Sequence, residues 1–236
     1  MPTLILDIET VGENFDELDT VSQDTLTRWI KREAADNGEY RSLLSNLKEE
    51  LGFSPLTGEI VAIGVLDAEK DKGAVYFQAP NGGEEIEENG VKFLPLGEKE
   101  MLEKFWAGVA KYDRVVTFAG RTFDIPFLMI RSAVHGIRPS KNFMSNRYRS
   151  SQLRGAEHID LQDELSFYGA MRRKGSLHLY ARAFGIASPK AEGVAGDDVA
   201  RLFAEEKYLD IARYNLRDVR ATKELYQRWD KYLRFG

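Results

Sequence analysis

The chain has 236 residues, 43% of them hydrophobic, a formal net charge of −5 and no cysteine. That length suits one large domain, and the apolar fraction is enough to bury a core, which excludes wholesale disorder. The lack of cysteine excludes disulfides, thiolate zinc sites and cysteine nucleophiles together, and it fits a reducing compartment.

Residues 4–8 are a short apolar run that reads as a buried strand. Residues 12–57 form an excursion with helical patterns at about 20–34 and 42–51. Apolar runs at 60–66 and 74–77, separated by a turn-like stretch, predict a hairpin. Residues 80–97, rich in Gly, Pro and Glu, read as a loop or a poorly packed ribbon. Leu102, Phe105, Trp106 and Val109 recur at helical spacing within 98–112. A strand follows at 114–118, then a helix from Pro126 to about His135, with Gly136 as its stop. The last strand is predicted at 158–161, and helices fill most of the remainder. This order predicts an α/β fold, a mixed sheet flanked by helices, in one domain over 1–236 with a helical insertion at about 12–57.

No stretch approaches the roughly 18 apolar residues of a membrane helix. The N-terminus has no basic region and too short an apolar run for a signal peptide, so the expectation is a soluble cytoplasmic protein with no membrane partner. The acidic balance argues against a protein that coats duplex nucleic acid. The distribution is uneven, however. Arg138, Lys141, Arg147, Arg149 and Arg154 form a basic run without acids, and Arg172, Arg173 and Lys174 form another. Acid gathers at Glu84, Glu85, Glu87 and Glu88. The basic runs are either solvated loops or a phosphate-tracking surface.

Four carboxylates occupy informative positions. Asp7 and Glu9 are two apart in the first strand, so they share a face with Ile5, while Leu4, Leu6 and Ile8 face the other way. Carboxylates in an apolar strand need a cation or a partner; the alternative is a strand that frays at Asp7. Asp124 sits where a strand gives way to a helix, a position where Asp is commonly a helix cap. Tyr214 and Asp218, four apart, share the stripe of Ile211, Ala221, Thr222 and Leu225 on a long C-terminal helix. They are a functional pair or a pair satisfied by neighbouring groups. Together the acids make an oxygen-only ligand set, suited to Mg²⁺ or Mn²⁺ rather than zinc or copper. The three histidines do not form a zinc motif, and there is no phosphate-binding G-x-x-x-x-G-K-[ST] loop.

These residues carry a family resemblance. Leu-Ile-Leu-Asp-Ile-Glu-Thr at 4–10 resembles the first motif of the DEDD 3′→5′ exonucleases, residues 118–127 around Asp124 the second, and Tyr214-Asn-Leu-Arg-Asp218 the third in its tyrosine (DEDDy) form. The likeness is to predicted exonucleases related to the proofreading domain of family-B DNA polymerases, and residues 158–168 and 176–186 share it. It spans 1–12 and about 55–230. The excursion at 12–57 departs from a minimal domain and offers a lid or a protein-partner surface.

The resemblance implies a ribonuclease H-like fold and two-metal hydrolysis of nucleic acid from a 3′ end, with single-stranded DNA favoured over RNA. Asp7 would bridge two Mg²⁺ or Mn²⁺ ions, Glu9 and Asp218 would complete the ion that holds the attacking water, and Asp124 would serve the second. Tyr214 would orient that water, since a phenol of pKa about 10 is a poor base at neutral pH. Thr10 and Phe123 would touch the terminal nucleotide, Phe123 alternatively packing in the core. Asp160 is expected to play a supporting role. Two other classes compete: a metal-dependent phosphatase or nucleotide hydrolase using the same acids, and a non-catalytic nucleic-acid-binding accessory module.

Overall fold

The computed structural model describes residues 1–187 and 198–235. Strand β1 (Thr3–Gly12) leads into three helices, α1 (Thr20–Thr27), α2 (Ile30–Glu33) and α3 (Asn37–Glu50). Asp19 and Asp36 cap α1 and α3 by accepting backbone N–H bonds in their first turns. The chain returns as β2 (Gly58–Asp67) and β3 (Gly73–Phe77), then β4 (Ile86–Glu88), β5 (Val91–Pro95) and helix α4 (Glu98–Val109). Strand β6 (Arg114–Thr117) precedes α5 (Asp124–Val134), and β7 (Glu157–Asp160) precedes α6 (Leu161–Leu165). Helices α7 (Leu177–Phe184), α8 (Val199–Ala204) and α9 (Tyr208–Tyr232) complete the described chain.

The strands form one mixed sheet in the order β4-β5-β3-β2-β1-β6-β7. β1 pairs antiparallel with β2 and parallel with β6, and β6 pairs parallel with β7. Strand alternation then divides the core in two. Ile5, Val61, Val116 and Ile159 face α9, meeting Ile211, Val219 and Leu225. Leu4, Leu6, Ile8 and Ile63 face α4 and α5, meeting Leu102, Phe105, Ile125 and Leu128. Asp7 and Glu9, in phase with Ile5, are thereby turned toward α9.

Two features differ from the sequence expectation. Within 80–97 the ribbon at 86–95 is well packed, between loops at 80–85 and 96–97: β5 pairs parallel with β3 and antiparallel with β4, and Val91 and Phe93 are fully buried. Two alternating apolar residues suffice for a strand that borrows its edge from β3, and the Gly/Pro/Glu composition around them hides so short a pattern. Helix α5 begins at Asp124, with Pro126 inside its first turn, where a missing N–H breaks no intrahelical bond. The predicted stop holds: Gly136 takes φ +70° just past the helix end.

α9 lies close over the middle of the sheet because β2 offers no side chain at Gly64. A Cβ there would stand 2.0 Å from Asn215 Oδ1 and 2.8 Å from Val219 Cγ2. Gly64 is paired with Asp7 across the β1–β2 ladder, so this close approach sits directly beside the acids. Gly64→Ala must therefore push α9 away, and overpacking of this kind typically destabilises by about 1–3 kcal/mol. Urea unfolding is expected to show a lowered midpoint for Gly64→Ala; an unchanged midpoint would show that α9 does not rest on this glycine.

Candidate active site

The site sits where parallel strands β1 and β6 part. Their pairing runs from Thr3 to Ile5 on β1 and ends there. Beyond it, the edge of β1 facing β6 has unpaired peptide groups, and the N–H of Ile8 donates to Asp124 Oδ1 at 3.1 Å. The carboxyl ends of such strands are the usual position for a crevice in an α/β sheet. Here a cavity of about 300 Å³ is lined by Asp7, Glu9, Thr10, Phe123, Asp124 and Asp218, among others.

One carboxylate oxygen each from Asp7, Glu9 and Asp218 lies within 4.8 Å of the other two. Glu9 is buried, and Asp7 and Asp218 are half-buried. Asp124, also buried, stands on the same cavity wall but outside this trio, turned to the β1 backbone. Residue 123 occupies the helix-cap position of α5 and makes no side-chain cap bond, while the Asp124 carboxylate accepts both its own N–H, at the start of α5, and the Ile8 N–H of β1. Tyr214 is buried one turn before Asp218 on α9 and hydrogen-bonds to its carboxylate.

The electrostatics follow from burying like charges. Burial, followed by the charges of Asp124, Glu9 and Asp218, holds the Asp7 carboxyl well above its usual range. Burial and then Asp218 do the same for Glu9. Asp124 is pushed up to about 7, first by burial, with its own N–H and that of Ile8 opposing and Asp160 and Asp218 adding charge. Burial, and after it the charges of Asp218, Glu9 and Asp7, drive the Tyr214 phenol far upward, so it stays protonated at any working pH. The oxygen-only donor set and the mutual repulsion both fit a hard divalent cation, whose charge would reverse these shifts.

Two contributors have no counterpart among the sequence candidates. Asn215, fully buried on α9, donates from Nδ2 to Asp7 Oδ2 at 2.8 Å, and its amide opposes the upward shifts of both Asp7 and Glu9. Its signal in the sequence is an uncharged amide in the buried stripe, three residues before Asp218. Phe53, from the end of the insertion, also lines the cavity; no local pattern marks it.

The remaining candidates fall into place around the site. Thr10 lines the cavity, and its hydroxyl donates to Gly52 O at 2.6 Å. Phe123 lines it as well, half-buried and packed against Phe127 with ring centroids 5.1 Å apart. Asp160 is directed elsewhere. Its carboxylate accepts the N–H groups of Ala119 at 3.0 Å and Arg121 at 2.9 Å and caps α6 through Gln162. It thus holds the loop that carries Phe123, including Ala119 in a left-handed conformation at φ 61°. The basic runs are partly structural. Arg147 pairs with Asp163 at 2.6 Å and Lys174 with the same residue at 3.7 Å, while Arg138, Arg154, Arg172 and Arg173 are exposed.

The family described as "predicted 3′-5′ exonuclease related to the exonuclease domain of PolB" matches residues 56–233. The chain belongs to this family. The match contains Asp124, Tyr214 and Asp218; Asp7 and Glu9 precede it. Among curated proteins, the chain is similar to a DNA polymerase of Thermococcus litoralis, 24% identical over 185 residues, covering 71% of this chain and 10% of the polymerase. A DNA polymerase of Pyrococcus glycovorans is 25% identical over 136 residues, covering 54% of this chain and 18% of that protein. The chain thus spans a small part of these relatives. Among solved structures it resembles the family B DNA polymerase of Pyrobaculum calidifontis, with a TM-score of 0.57 and 17% identity over 97% of this chain and 24% of that one. This likeness and the mixed seven-stranded sheet give the fold as α/β, of the ribonuclease H-like kind. Among the described residues, no helix is long and apolar enough to cross a membrane.

The raised carboxyls set the sign of a pH effect. Between about 4 and about 7 the folded protein binds more protons at Asp124 than the unfolded chain, so this group's contribution to stability falls as pH rises. In EDTA, the stability of Asp124→Asn relative to the wild type is expected to increase across that window. The Asn oxygen still accepts from Ile8, so the backbone bond is retained. Denaturant titrations at several pH values check this, and a pH-independent difference would show that Asp124 is not under charge stress.

Proposed function

We propose that this protein is a metal-dependent 3′→5′ exonuclease acting on single-stranded nucleic acid, DNA in preference to RNA. The observation that carries the reading is the convergence of Asp7, Glu9 and Asp218 within 4.8 Å in a chain of this exonuclease family. Asp124 stands on the same cavity wall. The whole of 1–236 acts as one exonuclease domain, with the 12–57 insertion as an accessory segment and the cytoplasm as its compartment.

In this reading Asp7, Glu9, Asp218 and Asp124 hold two divalent ions, Mg²⁺ or Mn²⁺. Bound there, such ions supply positive charge to the phosphate oxygens and acidify a water molecule. The protein's own groups do the positioning. Asn215 fixes the rotamer of Asp7 through its Oδ2. The Ile8 N–H fixes Asp124. Tyr214, hydrogen-bonded to Asp218, directs the attacking water rather than taking its proton, since a phenol of pKa about 10 is a poor base at neutral pH. Thr10 ties the end of β1 to Gly52 and shapes the floor under the terminal sugar. Phe123 offers its ring to the terminal base.

The test uses 5′-labelled single-stranded DNA and its RNA equivalent in Mg²⁺, Mn²⁺ and EDTA. The wild type is expected to give a ladder shortening from the 3′ end, absent in EDTA, with Asp7→Ala slower by about a thousandfold or more, the scale on which loss of transition-state charge stabilisation acts. No ladder from either polymer, with hydrolysis of free nucleotides instead, overturns the exonuclease reading in favour of a nucleotide hydrolase.

Tyr214→Phe removes the hydroxyl but leaves the buried ring. Its kcat is expected to fall by about 10–100-fold with KM nearly unchanged, as for a group used in the transition state. A Tyr214→Phe enzyme as fast as the wild type would place the hydroxyl outside the mechanism.

A further inference from the structure

Phe53 is 62% exposed, yet it stands on tightly clamped backbone. Neighbouring Leu51 is buried, and three glycines interlock around the turn at 51–53. A Cβ on Gly12 would meet Leu51 Cβ at 2.7 Å and Gly52 N at 2.8 Å; one on Gly52 would meet Gly12 N at 3.0 Å; one on Gly58 would meet Val11 O at 3.0 Å. Hydrogen bonds lock the same turn. Thr10 Oγ1 donates to Gly52 O at 2.6 Å, Thr57 Oγ1 to Leu51 O at 2.8 Å, and the Glu13 N–H to Thr57 O at 2.8 Å. The sequence thus brings the end of a 46-residue excursion (12–57) hard against the end of β1, two to three residues from the metal-site acids, and leaves a large aromatic ring facing out.

That ring borders the carboxylate cavity. It stands edge-on to Phe123, with centroids 6.4 Å apart and planes at 65°. Phe123 is braced from behind by the buried Phe127, whereas the Phe53 ring is mostly open to solvent. On its other side Phe53 borders a second cavity, of about 350 Å³, whose wall carries exposed Glu49 and Glu50. Acids there repel phosphates and so disfavour a polynucleotide's running on past Phe53.

We propose that Phe53 is a stacking platform for the 3′-terminal nucleobase, so that the 12–57 insertion supplies one wall of the substrate site. The proposal rests on the polynucleotide reading above and adds a substrate contact to it. Stacking on a rigid ring tolerates any base, which suits removal of nucleotides without regard to sequence.

The test needs a readout independent of cleavage. A single-stranded oligonucleotide ending in 2-aminopurine is mixed with the protein in Ca²⁺, and its fluorescence is followed; stacking quenches it. The wild type and Phe53→Trp are expected to quench. Phe53→Ala, which keeps the Phe123 ring, should quench less, and its affinity should be about tenfold weaker, the scale of one lost stacking contact. In turnover with Mg²⁺, Phe53→Ala should raise KM about tenfold on an ordinary terminus and leave it unchanged on the same oligonucleotide with an abasic 3′ residue. Equal quenching by wild type and Phe53→Ala overturns the proposal, as does a KM rise of the same size on both termini, which marks a packing role. Quenching that depends on Phe53, without any ladder from the wild type, supports the platform and sinks the exonuclease reading instead. A ladder without quenching by the wild type does the reverse.

Discussion

Like charges brought together out of water are the constraint around which this protein is arranged. Asp7, Glu9 and Asp218 share a space of a few ångströms, and Asp124 is buried beside them. Two arginines near it in sequence are directed elsewhere, Arg213 to Glu88 and Arg121 to the Asn146 carbonyl. Left to themselves, the carboxyls of Asp7, Glu9 and Asp124 retain protons above their usual range. A folded protein that keeps such a cluster bears a standing electrostatic penalty, and a divalent cation relieves it. The chain that carries the cluster belongs to a family of predicted 3′-5′ exonucleases.

The surrounding fold supplies what the cluster needs. Strand pairing between β1 and β6 stops at Ile5, which opens the crevice and frees the Ile8 N–H for Asp124. The missing side chain at Gly64 brings α9 down beside Asp7, and with it Asn215, Tyr214 and Asp218. Asp160 fastens the loop after β6, and so the approach to Phe123 and Asp124. Each is a backbone-level decision. The acids are aimed by strand ends, a glycine and a loop anchor rather than by contacts among themselves.

Much of this was legible in the sequence, for identifiable reasons. Period-two alternation in β1 assigned Asp7 and Glu9 to one face because every neighbour on the opposite face is Leu or Ile. The helical stripe through Ile211, Asp218 and Leu225 assigned Asp218 to the core side of α9. Contacts between distant segments were not legible. Nothing near Asp124 says that its oxygen meets the backbone of Ile8, 116 residues earlier. Nothing near Phe53 says that it returns to Thr10, because that return depends on three glycines whose partners lie across the turn. β4 and β5 were hidden for a related reason: strands of three and five residues owe their existence to the edge of β3 more than to their own pattern.

The claim that the cluster is a divalent-cation site is tested most directly by equilibrium binding of Mn²⁺, followed by the loss of its free-ion electron paramagnetic resonance signal. The account predicts saturable binding by the wild type and its loss in Asp7→Asn, which keeps the side-chain volume but removes the central charge. Glu98→Gln, which alters a buried acid paired with Arg131 on the opposite face of the sheet, should bind as the wild type does. Mn²⁺ binding that is unchanged in Asp7→Asn, or absent from the folded wild type, would contradict it.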